Sequence, residues 1–191
     1  MKKIVFLVGF IIAFQKFLYC EEVVFTNEEY KEKWFIVKLK NALDGDIDLF
    51  KDKNISENNE IILKLFYKLS DKSEYNMVDF RRKIDRNVDW KKMKAVKFSL
   101  YGNQDENVYL QVGFYTNSGS YFVTDIKEIN WTGWKNFEIP KKNFYPVGSL
   151  CDWDDVDNFF IRVNGDVAAS KGKINKEDSG EIYIGSIKIE Y

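Results

Sequence analysis

The sequence predicts a single all-β sandwich, and three observations support this prediction. Roughly nine short stretches alternate apolar and polar residues with a period of two, which is the period of a half-buried strand. Polar turns separate these stretches, and none of them has the length and period of a long helix. Aromatic residues make up 17% of the chain, so a sandwich core has large side chains to bury.

The first twenty residues are predicted to precede the fold. Lys2 and Lys3 stand before an uncharged, largely apolar run at 4–14, which is shorter than the roughly 20 residues of a membrane-spanning helix. We therefore expect residues 1–20 to be a signal peptide and residues 21–191 to form the domain. The protein is then exported to the periplasm, the cell surface or the medium. Cleavage before Glu21 is expected, and acylation of Cys20 is the alternative.

Charge and cysteine content exclude several classes of protein. Without Lys2, Lys3 and Lys16 the chain keeps 26 basic and 30 acidic residues, so its net charge moves from −1 to −4. This balance argues against a nucleic-acid partner. If Cys20 is removed or acylated, Cys151 has no partner for an internal disulfide. Stability is therefore expected to come from the apolar core.

The first half of the chain contains three predicted strands and two turns that matter below. Residues 34–39 are rich in β-branched and aromatic residues and predict an opening strand. Asp44-Gly45-Asp46-Ile47-Asp48 is interpreted as an acidic turn, because the alternative calcium loop would need a glutamate where Ile55 stands. Alternation at 63–69 and at 77–84 predicts two strands joined by a turn at 71–74.

The clearest strand is predicted at 107–115. Val108, Leu110, Val112 and Phe114 form its core face, which leaves Tyr109, Gln111 and Tyr115 on the opposite face. A turn at 117–120 then predicts a hairpin with 121–126. In the strand at 96–101, Tyr101 lies on the polar side of the alternation.

The last third of the chain has three informative features. Gly133 between Trp131 and Trp134 predicts a tight turn that leads into a strand ending at Pro140. Trp153 stands among aspartates in a loop at 141–157, where exposure and burial are both open. The last strand, 181–191, changes the parity of its isoleucines at Gly185-Ser186, which predicts a bulge there.

Taken in order, five segments resemble the jelly-roll carbohydrate-binding modules of the galactose-binding-like superfamily. These segments are Leu63-Lys64-Leu65-Phe66-Tyr67, Val96-Lys97-Phe98-Ser99-Leu100-Tyr101-Gly102, Tyr109-Leu110-Gln111-Val112, Ile129-Asn130-Trp131-Thr132-Gly133-Trp134-Lys135 and Glu181-Ile182-Tyr183-Ile184. The order is also similar, more faintly, to the outer-layer sheath proteins of spirochaete flagellar filaments.

The resemblance to the binding modules implies a jelly roll that holds a glycan or polysaccharide on its concave face or against edge loops. The implied ligand-binding residues are Tyr109, Gln111, Tyr115, Asp79, Arg81 and Tyr101. The loop residue Trp153 is a further candidate, because an exposed aromatic ring can stack on a sugar. Modules of this kind often carry two acidic calcium ligands where this chain has Gly185 and Ser186, so no metal and no cofactor are expected. The sheath resemblance implies instead a structural subunit that assembles with a surface or filament protein.

Catalysis is not expected. The chain contains no histidine, which removes the commonest general base and the Ser-His triads. Asp152, Asp154, Asp155 and Asp157 could supply a carboxylate pair for glycoside hydrolysis, but such acidic loops are usually solvated. The basic stretch at 81–94 is likewise interpreted as a solvated loop, with an anionic polymer as the alternative ligand.

Overall fold

The structure is a computed structural model and describes residues 22–24, 33–50, 62–84, 88–103, 108–174 and 177–191. Fourteen strands and one short helix, α1 (Gly165–Ser170), are found in these residues. The strands are β1 (Glu22–Val24), β2 (Trp34–Lys38), β3 (Ala42–Phe50), β4 (Ile62–Ser70), β5 (Met77–Lys83), β6 (Ala95–Gly102), β7 (Tyr109–Thr116), β8 (Tyr121–Val123), β9 (Lys127–Glu128), β10 (Gly133–Pro140), β11 (Tyr145–Val147), β12 (Val156–Asn164), β13 (Glu177–Ile184) and β14 (Lys188–Glu190). The predicted signal peptide at 1–20 lies outside the described residues.

The strands form two antiparallel sheets packed as a sandwich, as the sequence predicts. The first sheet has the order β1-β14-β6-β13-β4-β3. β13 and β14 pair with different parts of the same edge of β6, and β10 pairs with its opposite edge. The second sheet has the order β11-β8-β7-β12-β5-β2, and β9 pairs with β7. In this part of the chain no helix is both long and apolar enough to cross a membrane.

The core lies between the sheets and is built from the predicted apolar sides of the strands. In the first sheet these residues include Leu63, Leu65, Val96, Phe98, Leu100, Ile182 and Ile184. In the second sheet they include Val78, Phe80, Val112, Phe114, Phe159, Ile161 and Val163. Ile187 and Ile189 are also fully buried, so the predicted change of parity keeps both isoleucine pairs inward. At the predicted bulge, Gly185-Ser186, the strand is interrupted, so that β13 ends at Ile184 and β14 begins at Lys188.

The turn predicted at 44–48 is wrong, and the turn predicted at 71–74 connects two different sheets. The acidic stretch at 44–48 lies inside β3, where Asp44 and Asp48 face Lys68 and Lys64 across the β3–β4 pair. These opposite charges make aspartate tolerable in a strand. The strands β4 and β5 do not form a hairpin, because they belong to different sheets. The connection between them crosses the sandwich, and the fully buried Asn76 holds it by hydrogen bonds to the backbone of Ser70.

The hairpin of β7 and β8 and the strand after Gly133 are confirmed. Gly133 has φ of +95°, a conformation that glycine adopts readily. The indole N–H of Trp131 donates to the carbonyl oxygen of Gly133 at 3.1 Å and so braces this corner. The strand that follows, β10, pairs along its whole length with β6.

Candidate functional site

The outer face of the second sheet, which points away from the core, brings most of the predicted site residues together. Its central row runs across five strands through Val123, Gly113, Phe160, Arg81 and Phe35. A Cβ added at Gly113 would lie 2.4 Å from the Phe160 ring and 2.3 Å from a backbone oxygen. Glycine therefore lets the fully buried Phe160 ring lie over the sheet and form the floor of this face.

A buried ion pair lies beside this floor. Arg162 on β12 stands directly opposite Asp79 on β5. Its Nε donates to Asp79 Oδ1 at 2.6 Å and its Nη2 donates to Oδ2 at 3.0 Å. Asp79 has no exposed surface and Arg162 is 5% exposed. Because both N–H···O bonds are charge-assisted and in bidentate geometry, they fix the two side chains relative to each other.

Arg81 and Tyr115 complete this cluster. Arg81 donates from Nη2 to Asp79 Oδ2 at 2.9 Å, and its guanidinium lies 3.9 Å from the centre of the Tyr115 ring. The Tyr115 hydroxyl donates to Asp79 Oδ2 at 3.1 Å and accepts from Arg162 Nη2 at 2.6 Å. We call Asp79, Arg81, Tyr115 and Arg162 the arginine cluster. It holds two guanidinium groups around one carboxylate.

The cluster changes the acidity of its members. Burial, reinforced by the negative charge of Asp79, raises the pKa of the Tyr115 hydroxyl to about 12. Burial opposes the charge of Arg162, but its hydrogen bonds and ion pair with Asp79 outweigh this and raise the pKa of the guanidinium. Both groups therefore keep their protons, and the cluster keeps its hydrogen-bond pattern, throughout the physiological pH range.

Tyrosine rings surround the cluster on the side of β8 and β11. Tyr115 and Tyr121 lie 5.2 Å apart, and both contact the Phe160 floor, with ring-centre distances of 4.8 and 6.1 Å. Both tyrosines are half-buried, whereas Tyr145 at the edge of the sheet is 44% exposed. The face thus presents partly exposed aromatic surface next to fixed guanidinium donors.

The other end of the face is closed. Gln111 donates to the backbone oxygen of Thr124 at 3.1 Å and accepts from Asn164 at 3.3 Å, and it is 7% exposed. Tyr109 is on the predicted face but is only 3% exposed, because Lys171 donates to its hydroxyl at 3.1 Å and also lies over its ring. Alternation placed both residues on the right face. It could not show that Lys171 covers Tyr109, or that contacts with Thr124 and Asn164 enclose Gln111.

Two predicted site residues lie elsewhere. Tyr101 belongs to β6 in the first sheet, where its ring contacts Trp134 and Tyr183, so it cannot flank the face described above. Alternation correctly predicts which side of β6 carries Tyr101, but it does not predict to which sheet β6 belongs. Trp153 is half-buried and stacks on Phe122 at 4.0 Å, so it packs against the edge of the core.

The four aspartates of the loop at 152–157 have structural contacts. Asp152 accepts from the backbone N–H of Asp154 at 3.1 Å, and Asp155 accepts from Asn117 and from the backbone N–H of Ser118. Asp154 pairs with Lys91, and Asp157 accepts from Asn158. Within the described ranges no group of three or more His, Cys, Asp or Glu side chains could hold a metal ion.

Sequence reasoning missed four residues of this face, namely Arg162, Phe160, Tyr121 and Tyr145. A signal for two of them was present, because Phe160 and Arg162 share one parity in a strand whose other parity is Phe159, Ile161 and Val163. Applying the alternation argument to that strand would have placed both opposite the core. Tyr145 lies in a three-residue strand that is too short for a periodic signal.

These features define a class of protein, a β-sandwich domain with an aromatic and cationic outer face. No protein-family model matches the chain, and no curated protein matches it. Among solved structures, it superposes on a family 11 carbohydrate-binding module of a cellulosomal cellulase of Clostridium thermocellum. The TM-score is 0.63 at 14% identity, over 90% of this chain and 95% of that one.

Two further solved structures share the architecture. One is a carbohydrate-binding module described for specific mannan recognition, with a TM-score of 0.54 at 17% identity, over 89% of this chain and 95% of that one. The other is a xylan-binding domain of family 22, with a TM-score of 0.50 at 12% identity, over 88% and 92% of the two chains. The predicted resemblance in fold to jelly-roll carbohydrate-binding modules is therefore confirmed.

Proposed function

We propose that the protein is a non-catalytic module that binds polysaccharide on the outer face of its second sheet, the face predicted to be concave. The observation that carries this proposal is the group of partly exposed rings of Tyr115, Tyr121 and Tyr145 beside the fixed guanidinium of Arg81. Sugar rings stack on flat aromatic faces, while donors held in place bind their oxygens.

The structural neighbours support this proposal through what their descriptions say of them. One belongs to a cellulase, one recognises mannan and one binds xylan. Each is a sandwich of nearly the same extent as this chain, and carbohydrate binding is the described property of all three. Fold alone does not carry function between proteins, so the proposal depends on the residues of the face.

The carboxylates argue for binding without catalysis. Asp79 is buried, and both of its oxygens accept hydrogen bonds from arginine, so it is not available as an acid or base. Asp152 and Asp155 hold loop backbone, as described above. A glycosidase needs two carboxyl groups on either side of a bound sugar, whereas the arginine cluster holds a single carboxylate, which is buried.

The proposal includes export, with residues 1–20 as a signal peptide and residues 21–191 as the mature domain. Intact-mass analysis of the protein recovered from its native cell tests this part. We expect a mature N-terminus at or near Glu21. A retained Met1 would contradict export by this signal, and a lipid adduct on Cys20 would show acylation instead.

Binding is tested by affinity electrophoresis and calorimetry with soluble cellulose derivatives, mannan and xylan. We expect Tyr121→Ala and Tyr145→Ala each to weaken binding by about 2- to 12-fold, because contacts between ring faces contribute about 0.5–1.5 kcal/mol. Tyr183→Ala is the matched control, since Tyr183 is a half-buried tyrosine on the other sheet. Its affinity should equal that of the unmodified protein.

Other outcomes would redirect the assignment. If Tyr121→Ala and Tyr145→Ala bind every polymer as tightly as the unmodified protein, the sugar site is not on this face. If instead they abolish incorporation into a native surface or filament assembly, and no polymer binds, the structural-subunit alternative replaces the present proposal.

A further inference from the structure

The hydrogen-bond balance of the arginine cluster restricts what it can bind. Asp79 Oδ1 accepts from Arg162, and Oδ2 accepts from Arg81, Arg162 and Tyr115. The carboxylate has no exposed surface, so it cannot accept a hydrogen bond from a ligand. The Tyr115 hydroxyl both donates and accepts within the cluster. The acceptors of the cluster are therefore occupied.

Donors, in contrast, remain available. Arg81 uses Nε and Nη2 to bind Asp79, at 3.3 and 2.9 Å. Among the residues that the structure describes, none accepts a hydrogen bond from Arg81 Nη1. The Arg81 side chain is 19% exposed and rests on the Tyr115 ring, so the unused N–H groups have a fixed position at the surface. A ligand at this point meets hydrogen-bond donors only.

The cluster has an excess of positive charge as well as an excess of hydrogen-bond donors. Two guanidinium groups against one carboxylate leave one positive charge, and the exposed Lys83 adds a second at the end of β5. At the opposite rim, Asp125 lies close enough to Tyr145 to help raise the pKa of its hydroxyl, although burial contributes more. The positive end of the face is thus the β5 side and the aromatic, partly acidic end is the β11 side.

We propose that the polysaccharide bound here is anionic, and that Arg81 binds a carboxylate or sulfate group on it. This inference rests on the proposed function and narrows its ligand class. Neutral sugar hydroxyls both donate and accept, whereas an anionic oxygen only accepts and matches a donor-only, positively charged position. The planar guanidinium suits such groups geometrically. The sugar ring next to the anionic group then stacks on Tyr121 and Tyr145.

The test uses pairs of polymers that share a backbone and differ in charge. Polygalacturonate and its fully methyl-esterified form test a carboxylate, and carrageenan and its desulfated form test a sulfate ester on a galactan. Affinities are measured at physiological ionic strength, where non-specific attraction is screened. We expect at least one charged polymer to bind 10-fold or more tightly than its neutral partner, and the pair that shows this identifies the group.

Arg81 variants then locate the contact. Arg81→Gln should remove the preference for the charged polymer, with a 10- to 100-fold loss in its affinity and little change for the neutral one. Arg81→Lys keeps the positive charge but lacks the planar guanidinium. Its affinity for the charged polymer should lie between those of the unmodified protein and Arg81→Gln. Lys83→Gln is the control, because it removes one positive charge from the same strand without touching the cluster. Thermal unfolding confirms that each variant is folded.

The outcomes separate this inference from the proposed function. Equal affinity of the unmodified protein for charged and neutral polymers overturns the inference and leaves the proposed function in place. Equal losses for Arg81→Gln and Lys83→Gln overturn it too, since they indicate general charge attraction. Absence of binding to every polymer overturns the proposed function itself.

Discussion

The outer faces of the two sheets handle charge in opposite ways. On the first sheet, charged side chains pair in solvent. Lys64 and Glu181 lie 2.6 Å apart with side-chain exposures of 30% and 39%, and Lys97 and Glu190 form a similar pair at 2.7 Å. On the second sheet, the only carboxylate of the arginine cluster, Asp79, is completely buried beneath guanidinium groups and tyrosine. The same alternation of side chains therefore produces one face whose carboxylates are solvated and another on which Asp79 is buried.

The difference arises from what stands on the neighbouring strands. Around Asp79, three side chains donate to the carboxylate and leave it no exposed surface, namely Arg162 on the neighbouring β12, Tyr115 on β7 and Arg81 on β5 itself. Around Lys64, the neighbouring strands present Asp48 and Tyr183, which leave its charge in solvent. Exposed pairs contribute little to stability, while breaking a buried pair leaves an uncompensated charge. The two faces should therefore respond very differently to the same kind of substitution.

The largest expected effect is that of Asp79→Ala. It leaves the buried Arg162 and the half-buried Arg81 without their counter-charge, so we expect a loss of about 3–5 kcal/mol in the free energy of unfolding. Glu181→Ala removes one carboxylate from the solvated face and should cost about 0–1 kcal/mol. Urea denaturation of both variants measures the difference. Equal losses would show that the two faces do not differ in the way argued here.

The next effect compares the closed and open ends of the second face. Tyr109→Ala should destabilise the protein by about 2–5 kcal/mol, because it leaves a cavity beneath Lys171. Tyr121→Ala should cost clearly less, because Tyr121 is only half-buried. Alternation alone places both tyrosines on the outer face and cannot show this difference in burial. Thermal and urea unfolding of the pair decide the matter, and a smaller loss for Tyr109→Ala would contradict the closed end.

The smallest effect concerns alkaline pH. Because the pKa of Tyr115 is raised in the folded state to about 12 from 10.0, the folded protein holds this proton more tightly than the unfolded chain does. The resulting stabilisation is complete below pH 10 and is lost as the pH rises towards 12. We therefore expect the unfolding free energies of the unmodified protein and Tyr115→Phe to converge over this range. A constant difference between them would show that Tyr115 titrates normally.

Features set by neighbouring residues in the chain were predictable from the sequence. The alternation at 63–69 and 107–115, the β7–β8 hairpin and the turn at Gly133 all depend on local pattern. For the strands at 96–101 and 107–115, the side that faces the core was predicted correctly for the same reason. Predicting these features does not require knowing which distant strands pair.

The remaining features depend on pairing between distant strands. Alternation shows that Tyr101 lies on the polar side of its strand, but it does not show that the strand belongs to the first sheet. The prediction therefore places Tyr101 on the wrong face. The stretch at 44–48 forms a strand because of Lys64 and Lys68, which only the β3–β4 register brings opposite it. The arginine cluster likewise depends on the position of β12 between β5 and β7, which local pattern does not predict.

The separation of Asp79 and Arg162 along the chain, 83 residues, has a consequence for the order of folding. Closing so long a loop is slow, because its entropic cost precedes any contact that rewards it. The local β7–β8 hairpin can form early, but β5 and β12 must then meet before the carboxylate is covered. We expect quenching of Trp153 by the core to precede protection of the β5 and β12 amides during refolding. A chain truncated before β12 lacks Phe160 and Arg162, so it cannot form the arginine cluster.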